Sequence, residues 1–335
     1  MNKYDRKHWQ NVERYMKGTQ TAFSGMVSRI VKLYERVPTN VPFNINNYPW
    51  LKKGIDTELR KLASELQTNI VNGVNREWAL SNAKNDEMLA TYLRGDNVPN
   101  ALMAAYTDKN IPALEAFRTR FAGGKDLSTR VWNIVKGQAV RMEEHMALGV
   151  YEGTSAKRLA SEMKQYLNKP DALFRRVRDA GGNLQLSAAA KKYQPGQGVY
   201  RSAYKNALRL TRTETNASYQ AADNARWEKM DFILGVRVQR SNRVDPYPCD
   251  ICESAVGEYP KDYNWSDYPE TNERTHQFHP QCMCYATPIV ATREQRLKAY
   301  QAAFDGETYE YTGKVEKPPE SYITFREKHP EYKHY

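Results

Sequence analysis

All four cysteines of the chain lie between Cys249 and Cys284. They fall into two groups, Cys249-x2-Cys252 and, after 26 residues, His279-x2-Cys282-x-Cys284. A Cys-x2-Cys turn aims two thiolates at one centre, and a second pair from a distant segment completes a tetrahedron around zinc. Sulfur and imidazole suit the borderline softness of that ion and make poor ligands for calcium or magnesium. Five donors compete for four places. Cys249, Cys252, His279 and Cys282 form the preferred set, because both pairs then share a two-residue gap. Cys284 can replace His279, and His276 is a weaker candidate. Four protein ligands leave no open position, so the expected cofactor is a structural Zn2+. The intervening segment is polar and aromatic with few aliphatic residues, so an ion there would stand in for a missing core. The rival reading is a set of buried thiols or disulfides. The chain begins MNKYDRKHWQNVERYMKG, without the apolar stretch of a secretory signal, so the thiols are expected to stay reduced. Clustered cysteines in a reduced chain favour metal.

A second group is Arg212-Thr213-Glu214-Thr215-Asn216, in a stretch with helical spacing. Arg212 and Asn216 are four apart and share a face, whereas Glu214 lies about 200° from Arg212 and cannot pair with it within the helix. Each charge must find its partner elsewhere, and Arg243 and Asp245 are the nearest candidates before the cysteine region. The group reads as a structural ion-pair network of Arg212, Glu214, Arg243 and Asp245. An Arg/Glu active site is the alternative. No second carboxylate, glycine-rich loop or nucleophile–base pair accompanies it, so no catalytic residue is assigned and the chain is not expected to be an enzyme.

The elements that must position these residues are mostly helical. A first helix is expected over about Lys7–Arg36, ended by Pro38, Pro42 and Pro49. In a second, Leu51, Ile55, Leu59, Leu62, Leu66 and Ile70 form one apolar stripe; it either runs to Arg94 or breaks at Gly73. A third follows Gly123-Gly124, with Ser128 as N-cap and Val131, Val135, Met142 and Met146 on one face. Thr154 or Ser155 caps another, with Leu159, Met163 and Leu167 inside. Helical spacing returns over about Tyr200–Met230 and ends at Gly235. Val236–Arg240 alternates as a strand, and Tyr285–Val290 is a second strand candidate. From Arg293 one helix precedes an irregular, Tyr-rich, Pro-broken tail. The expected fold class is α+β, mostly α-helical: a helical N-terminal region, then a helix with a small β zinc-knuckle module. The expected division is 1–125, 126–292 carrying the knuckle at 249–284, and 293–335.

The chain of 335 residues carries 50 Lys and Arg against 39 Asp and Glu, a formal charge of +11. That surplus is concentrated. Residues 169–212 hold ten basic and two acidic side chains, ten minus two giving +8. Arg175, Arg176, Arg178, Lys191, Lys192, Arg201 and Lys205 in this stretch are the candidate nucleic-acid contacts, with Tyr193, Tyr200 and Tyr204 interleaved. Such charge attracts phosphate without reading sequence, and tyrosines stack on exposed bases. A solvated linker is the alternative. No apolar run approaches the roughly 20 residues needed to span a bilayer, so no membrane partner is expected.

The run RTETNASYQAADNARW, then a strand, CDIC, a short GEY and HPQCMC before a further strand, resembles the Mu F-like phage head-morphogenesis family of minor head, or portal-associated, proteins. Arg212, Thr213 and Glu214 match its Arg-Thr-Glu helix; Cys249 and Cys252 match its CxxC; His279, Pro280, Cys282 and Cys284 match its closing motif. DLSTRVWNIVKGQ and GVYEGTSAKRLASEM resemble its helical lead-in, so the likeness covers about Asp126–Val290. The basic stretch before Arg212 looks like an insertion, and the loop between the cysteine pairs is long and aromatic. The resemblance implies a structural component of the virion interior near the portal, present in the host cytoplasm during assembly. Its implied partners are the portal and other capsid or scaffold proteins, and non-specifically bound double-stranded DNA during packaging or ejection. Two alternatives stand beside it. One is an enzyme, a nuclease or ADP-ribosyl transferase using Arg212 and Glu214; the other is a protein-interaction adaptor without DNA binding.

Overall fold

A computed structural model of the chain describes residues 2–38, 44–122, 124–151, 155–168, 176–178, 184–186, 203–240, 250–265, 278 and 282–329. The helices are α1 (Lys3–Tyr34), α2 (Pro49–Tyr92), α3 (Asn100–Thr107), α4 (Ile111–Thr119), α5 (Leu127–Tyr151), α6 (Ala156–Asn168), α7 (Ala203–Glu228), α8 (Asp250–Ser254), α9 (Arg293–Phe304) and α10 (Glu320–Lys328). The strands are β1 (Arg176–Arg178), β2 (Leu184–Leu186), β3 (Ile233–Gln239), β4 (Gly257–Tyr259) and β5 (Tyr285–Val290). The fold is therefore mostly α-helical with a small antiparallel sheet ordered β4-β3-β5, as the sequence leads one to expect.

Contacts divide the chain into two compact units, each built from separated stretches: 1–11, 72–123 and 213–335 in the first, 12–71 and 124–212 in the second. This division differs from the consecutive segments 1–125, 126–292 and 293–335. Each of α1, α2 and α7 contributes residues to both units, which a reading by composition along the chain does not capture.

In the second unit the α2 stripe is inside as expected: Leu51, Ile55, Leu59, Leu62, Leu66 and Ile70 are all buried. Met26, Ile30 and Tyr34 of α1 are buried as well. The helix runs through Gly73 without a break, about 65 Å at 1.5 Å per residue. Val131, Val135 and Met142 of α5 and Leu159 and Met163 of α6 are likewise buried. The α5 start is capped by Asp126, whose Oδ1 accepts from the Thr129 amide at 2.7 Å, rather than by Ser128. A carboxylate at that position also meets the positive end of the helix, an advantage that a serine lacks.

The first unit is organised around the later part of α7. Nearly every residue from Thr213 to Trp227 is buried or half-buried, including Glu214, Asn216, Gln220, Asp223 and Arg226. A helix buried all round must be enclosed by neighbours, and its polar groups must find partners there. Arg226 donates to Asn82 Oδ1 at 2.9 Å and Asp86 Oδ1 at 3.0 Å, and Trp227 Nε1 donates to Asn85 Oδ1 at 2.7 Å. Asp223 accepts from Ser81 Oγ at 2.7 Å and Asn85 Nδ2 at 2.8 Å, and also from Lys84. These bonds tie α7 to α2 over little more than one turn of each helix.

The sheet closes the unit. β3 is its centre, pairing Val236 with Tyr259 of β4 and Val238 with Ala286 of β5. Pro288, which cannot donate to a ladder, sits on the edge strand β5. Gly235 lies within β3, not at the end of the preceding helix, and marks a register shift against β5. A Cβ there would stand 2.5 Å from Val315 Cγ2 and 2.9 Å from the Tyr259 carbonyl oxygen. The Val315 amide donates to the Leu234 carbonyl at 2.9 Å, so the segment after α9 is laid directly on the strand.

That segment has no helix or strand as far as Pro319, yet it is packed rather than loose, and α10 follows it. Tyr311 is buried in a core with Tyr106, Trp227, Phe232 and Tyr300, and Tyr322 of α10 is buried in a second core beside the cysteines. Tyrosine is amphipathic, so a polar, tyrosine-rich stretch can still supply core.

Two outcomes are expected. Gly235→Ala should lower unfolding free energy by about 1–3 kcal/mol in urea titrations, because Val315 or the Tyr259 carbonyl must move. For Asp86, burial acts to raise the carboxyl, but the hydrogen bonds and charges of Lys109 and Arg226 hold it net below the usual carboxylate range. A depressed folded value adds stability above the unfolded value of about 4 and loses it as pH falls through the folded one. Acid unfolding of Asp86→Asn should therefore show a shallower pH dependence below about pH 4.

Candidate metal centre

Three cysteines converge in the first unit. Cys252 comes from α8, the short helix after β3; Cys282 and Cys284 come from the segment leading into β5. In that segment Cys282, Cys284 and Ala286 are buried while Met283 and Tyr285 are only half-buried. Residues two apart on an extended chain face the same way, which aims both thiols inward. The three sulfurs lie within 4.8 Å of one another and all three residues are buried. None is in a disulfide.

The geometry fits a metal. Cys252 Sγ and Cys282 Sγ are 3.8 Å apart. Two thiolates bound at about 2.3 Å to one tetrahedral ion are separated by about 3.8 Å, whereas a disulfide needs about 2.05 Å. Three buried thiols that close together could hold a metal ion. Of the expected ligands, Cys252 and Cys282 are thus brought together, and Cys284, the expected alternate, joins them. Cys249, His276 and His279 lie outside the described residues.

The cluster is held from two sides. Around it Tyr259, Trp265, Phe278 and Tyr322 form a buried aromatic shell, with ring centroids 4.3 Å apart for Tyr259–Trp265, 5.6 Å for Trp265–Phe278 and 5.5 Å for Phe278–Tyr322. Each such pair is worth roughly 0.5–1.5 kcal/mol beyond its buried area. The Tyr259 hydroxyl donates to the Ala255 carbonyl at 2.9 Å, and burial pushes its phenol above the usual tyrosine value. Pro319 packs where a side chain on Gly257 would go, and Gly257 has φ +150, a conformation that disfavours any other residue. α10 is thereby seated on the cluster, with Ser321 Oγ donating to the Ser254 carbonyl at 2.8 Å.

On the other side stands α7. Asn216 Nδ2 donates to the Cys282 carbonyl at 3.0 Å, and Gln220 Nε2 donates to the Cys284 carbonyl at 3.5 Å. The two amides are four apart and so share a helix face. The chain of contacts continues inward. Because the Cys282 carbonyl can only accept, Asn216 presents Oδ1 to His8, and His8 Nε2 therefore donates at 3.0 Å. The other ring nitrogen, Nδ1, meets Glu77 Oε2 at 2.6 Å, and Asn11 Nδ2 donates to Glu77 Oε1 at 2.9 Å. The His8 ring also stacks on Tyr219 at 4.2 Å.

The remaining expected residues are placed as follows. Glu214, 2% exposed at its side chain, pairs with Arg120 at 3.1 Å. Arg212 lies 3.6 Å from Glu13. Arg243 and Asp245, named as their partners, lie outside the described residues, as do Arg175, Lys191, Lys192 and Arg201. Arg176 and Arg178 lie on β1, paired with Leu186 and Leu184 of β2. Lys205 is exposed on α7. Sequence reasoning did not single out Gln220, His8, Glu77 or Tyr322. The Asn216/Gln220 spacing was a usable signal; His8 and Glu77 are 69 residues apart and have none.

Comparison of the chain with protein-family models, curated proteins and solved structures gives no match in any of the three.

Cys282→Ser is expected to abolish stable metal retention, measured by metal analysis after gel filtration. Asn216→Ala, which leaves every sulfur in place, should weaken metal affinity by about tenfold in chelator competition, the usual effect of removing an outer partner.

Proposed function

We propose that this chain is a phage minor head, or head-morphogenesis, protein: a structural component inside the capsid near the portal that assists head assembly and DNA packaging or ejection. The observation that carries the reading is the bond between Asn216 and the Cys282 carbonyl. Asn216 closes the RTETN run and Cys282 lies in HPQCMC, the two stretches on which the family resemblance rests. Their physical union gives that pairing of motifs a reason: the helix is the platform on which the cysteine knuckle sits.

In this reading the ion is zinc, held by Cys252, Cys282 and Cys284 with a fourth ligand from Cys249 or His279. Thiolate-rich sites select soft or borderline ions, and four protein ligands leave no place for water or substrate. The ion's contribution is then to folding, by cross-linking α8 to the approach to β5. Burial of Glu214 against Arg120 favours a structural role for the Arg-Thr-Glu run over a catalytic one. The +8 stretch at 169–212 supplies charge for DNA held without sequence preference.

Locating the chain in assembled particles, by labelled reconstruction, tests the assignment directly: density beside the portal supports it, and its absence from particles refutes it. The DNA contact has its own test. Log affinity for duplex DNA should fall linearly with log salt, and neutralising Arg175, Arg176 and Arg178 together should reduce the slope by about 2–3. A salt-independent affinity would remove the DNA contact from the proposal. Zinc should be found at about one equivalent per chain, with loss of the knuckle on chelation.

A further inference from the structure

The α7 face that holds the cysteine segment is also gripped by the start of α1. Asn216 donates from Nδ2 to the Cys282 carbonyl and accepts at Oδ1 from His8 Nε2. Three residues further on, the Tyr219 hydroxyl donates to Asp5 Oδ1 at 2.9 Å. Asp5, His8, Gln220, Cys284 and Tyr285 line one narrow crevice, so α1, α7 and the approach to β5 meet at a single place. Gln220 Oε1 is buried there without a hydrogen bond, and its Nε2 reaches the Cys284 carbonyl only at 3.5 Å. Asn216, at 3.0 Å, is the firmer of the two supports, and it is the one that His8 touches.

An asparagine amide has a donor end and an acceptor end, and a half-turn about χ2 exchanges them. With the ends exchanged, Oδ1 would face the Cys282 carbonyl, acceptor against acceptor. A donor fixed on the far side of the amide excludes that state, and His8 Nε2 is that donor. His8 is held in turn by Glu77 Oε2 at Nδ1, 2.6 Å away, and by its stack on Tyr219. Glu77 is fixed by Asn11 Nδ2 at 2.9 Å. In a buried network of this kind, displacing one member leaves the others unpaired.

We propose that His8 is a positioning residue for the metal centre, and that metal occupancy is coupled to the seating of the start of α1 on α7. The inference rests on the reading of the cysteine cluster as a metal centre. An ion bound at the Cys282 thiol fixes the carbonyl of the same residue, which strengthens its bond to Asn216 and so the hold on His8. By linkage, a seated α1 raises the affinity for the ion by the same factor. Outer partners of metal ligands are typically worth roughly 10–100-fold in affinity.

Hydrogen exchange on the full chain, zinc-loaded and after zinc removal by a chelator, reads one side of the coupling. Amides of residues 7–11 should exchange about tenfold faster without zinc, while those of residues 59–66, in the second unit, stay unchanged. Chelator competition for zinc reads the other side. His8→Leu should weaken zinc affinity by about tenfold. His8→Gln, whose Nε2 can still donate to Asn216, should recover most of that loss, which a merely destabilised fold would not do. The exchange measurement needs no variant, so it decides the matter if His8→Leu does not fold. Exchange at residues 7–11 indifferent to zinc, equal acceleration at residues 59–66, an unchanged affinity in His8→Leu or no recovery in His8→Gln would overturn the coupling and leave the metal reading standing. A chain that binds neither zinc nor cobalt(II) would remove both.

Discussion

A helix buried on every side must settle its polar groups within the protein, and the later part of α7 is such a helix. Between Glu214 and Arg226 it carries two acids, an arginine and several amides and hydroxyls that lie away from solvent. Each unsatisfied group would cost roughly 1–3 kcal/mol, more for a charge, so the surrounding elements are held to specific positions. α2 answers with Ser81, Asn82, Lys84, Asn85 and Asp86; α1 answers with His8 and Asp5, whose Oδ1 accepts from the Tyr219 hydroxyl at 2.9 Å. Apolar contacts could slide by a turn at small cost. A register set by this many directional bonds cannot, because a shift would orphan several groups at once.

The cysteine cluster inherits that order. Its two carbonyls on the β5 side are gripped by Asn216 and Gln220, so the thiols of Cys282 and Cys284 are aimed before any ligand arrives. Cys252 is brought in by α8, whose own packing depends on Ala255 and the aromatic shell. The small sheet between them contributes little area, and aromatic rings stand where aliphatic side chains would fill a larger domain. Rings of this size bury much surface with few rotatable bonds, so the shell is stiff for its residue count.

Elements whose residues meet neighbours nearby in sequence, or meet solvent on one side, were legible in the sequence. The α2 stripe, the β5 span Tyr285–Val290 and the inward faces of α5 and α6 all follow from local periodicity. The inclusion of Cys284 beside Cys252 and Cys282 was within the donor set that spacing allowed. What spacing could not decide was which donors converge, since that depends on how the approach to β5 is laid against α7. The interior role of Asn216, Asp223 and Arg226 was hidden for a different reason: hydropathy marks such residues as surface, and only pairing makes their burial tolerable. The same rule concealed Tyr311 and Tyr322, because most of the residues between them are polar and exposed. β4 was missed because three residues carry no period to read.

The chain crosses its first unit at widely separated points: Asp5 and His8 near the start, Trp227 and β3 in the middle, Tyr311 and Tyr322 near the end. Contacts with such large separations raise contact order and slow folding, since long loops must close before the gain is realised. During synthesis the consequence is sharper. The α1 residues Asp5 and His8 wait for more than two hundred residues before α7 can partner them, and the aromatic shell waits until Tyr322 has left the ribosome. This unit therefore cannot close before Tyr322 has been made. Until then its apolar surface and unpaired strands are open to wrong partners, which makes the interval between synthesis and closure its most vulnerable period.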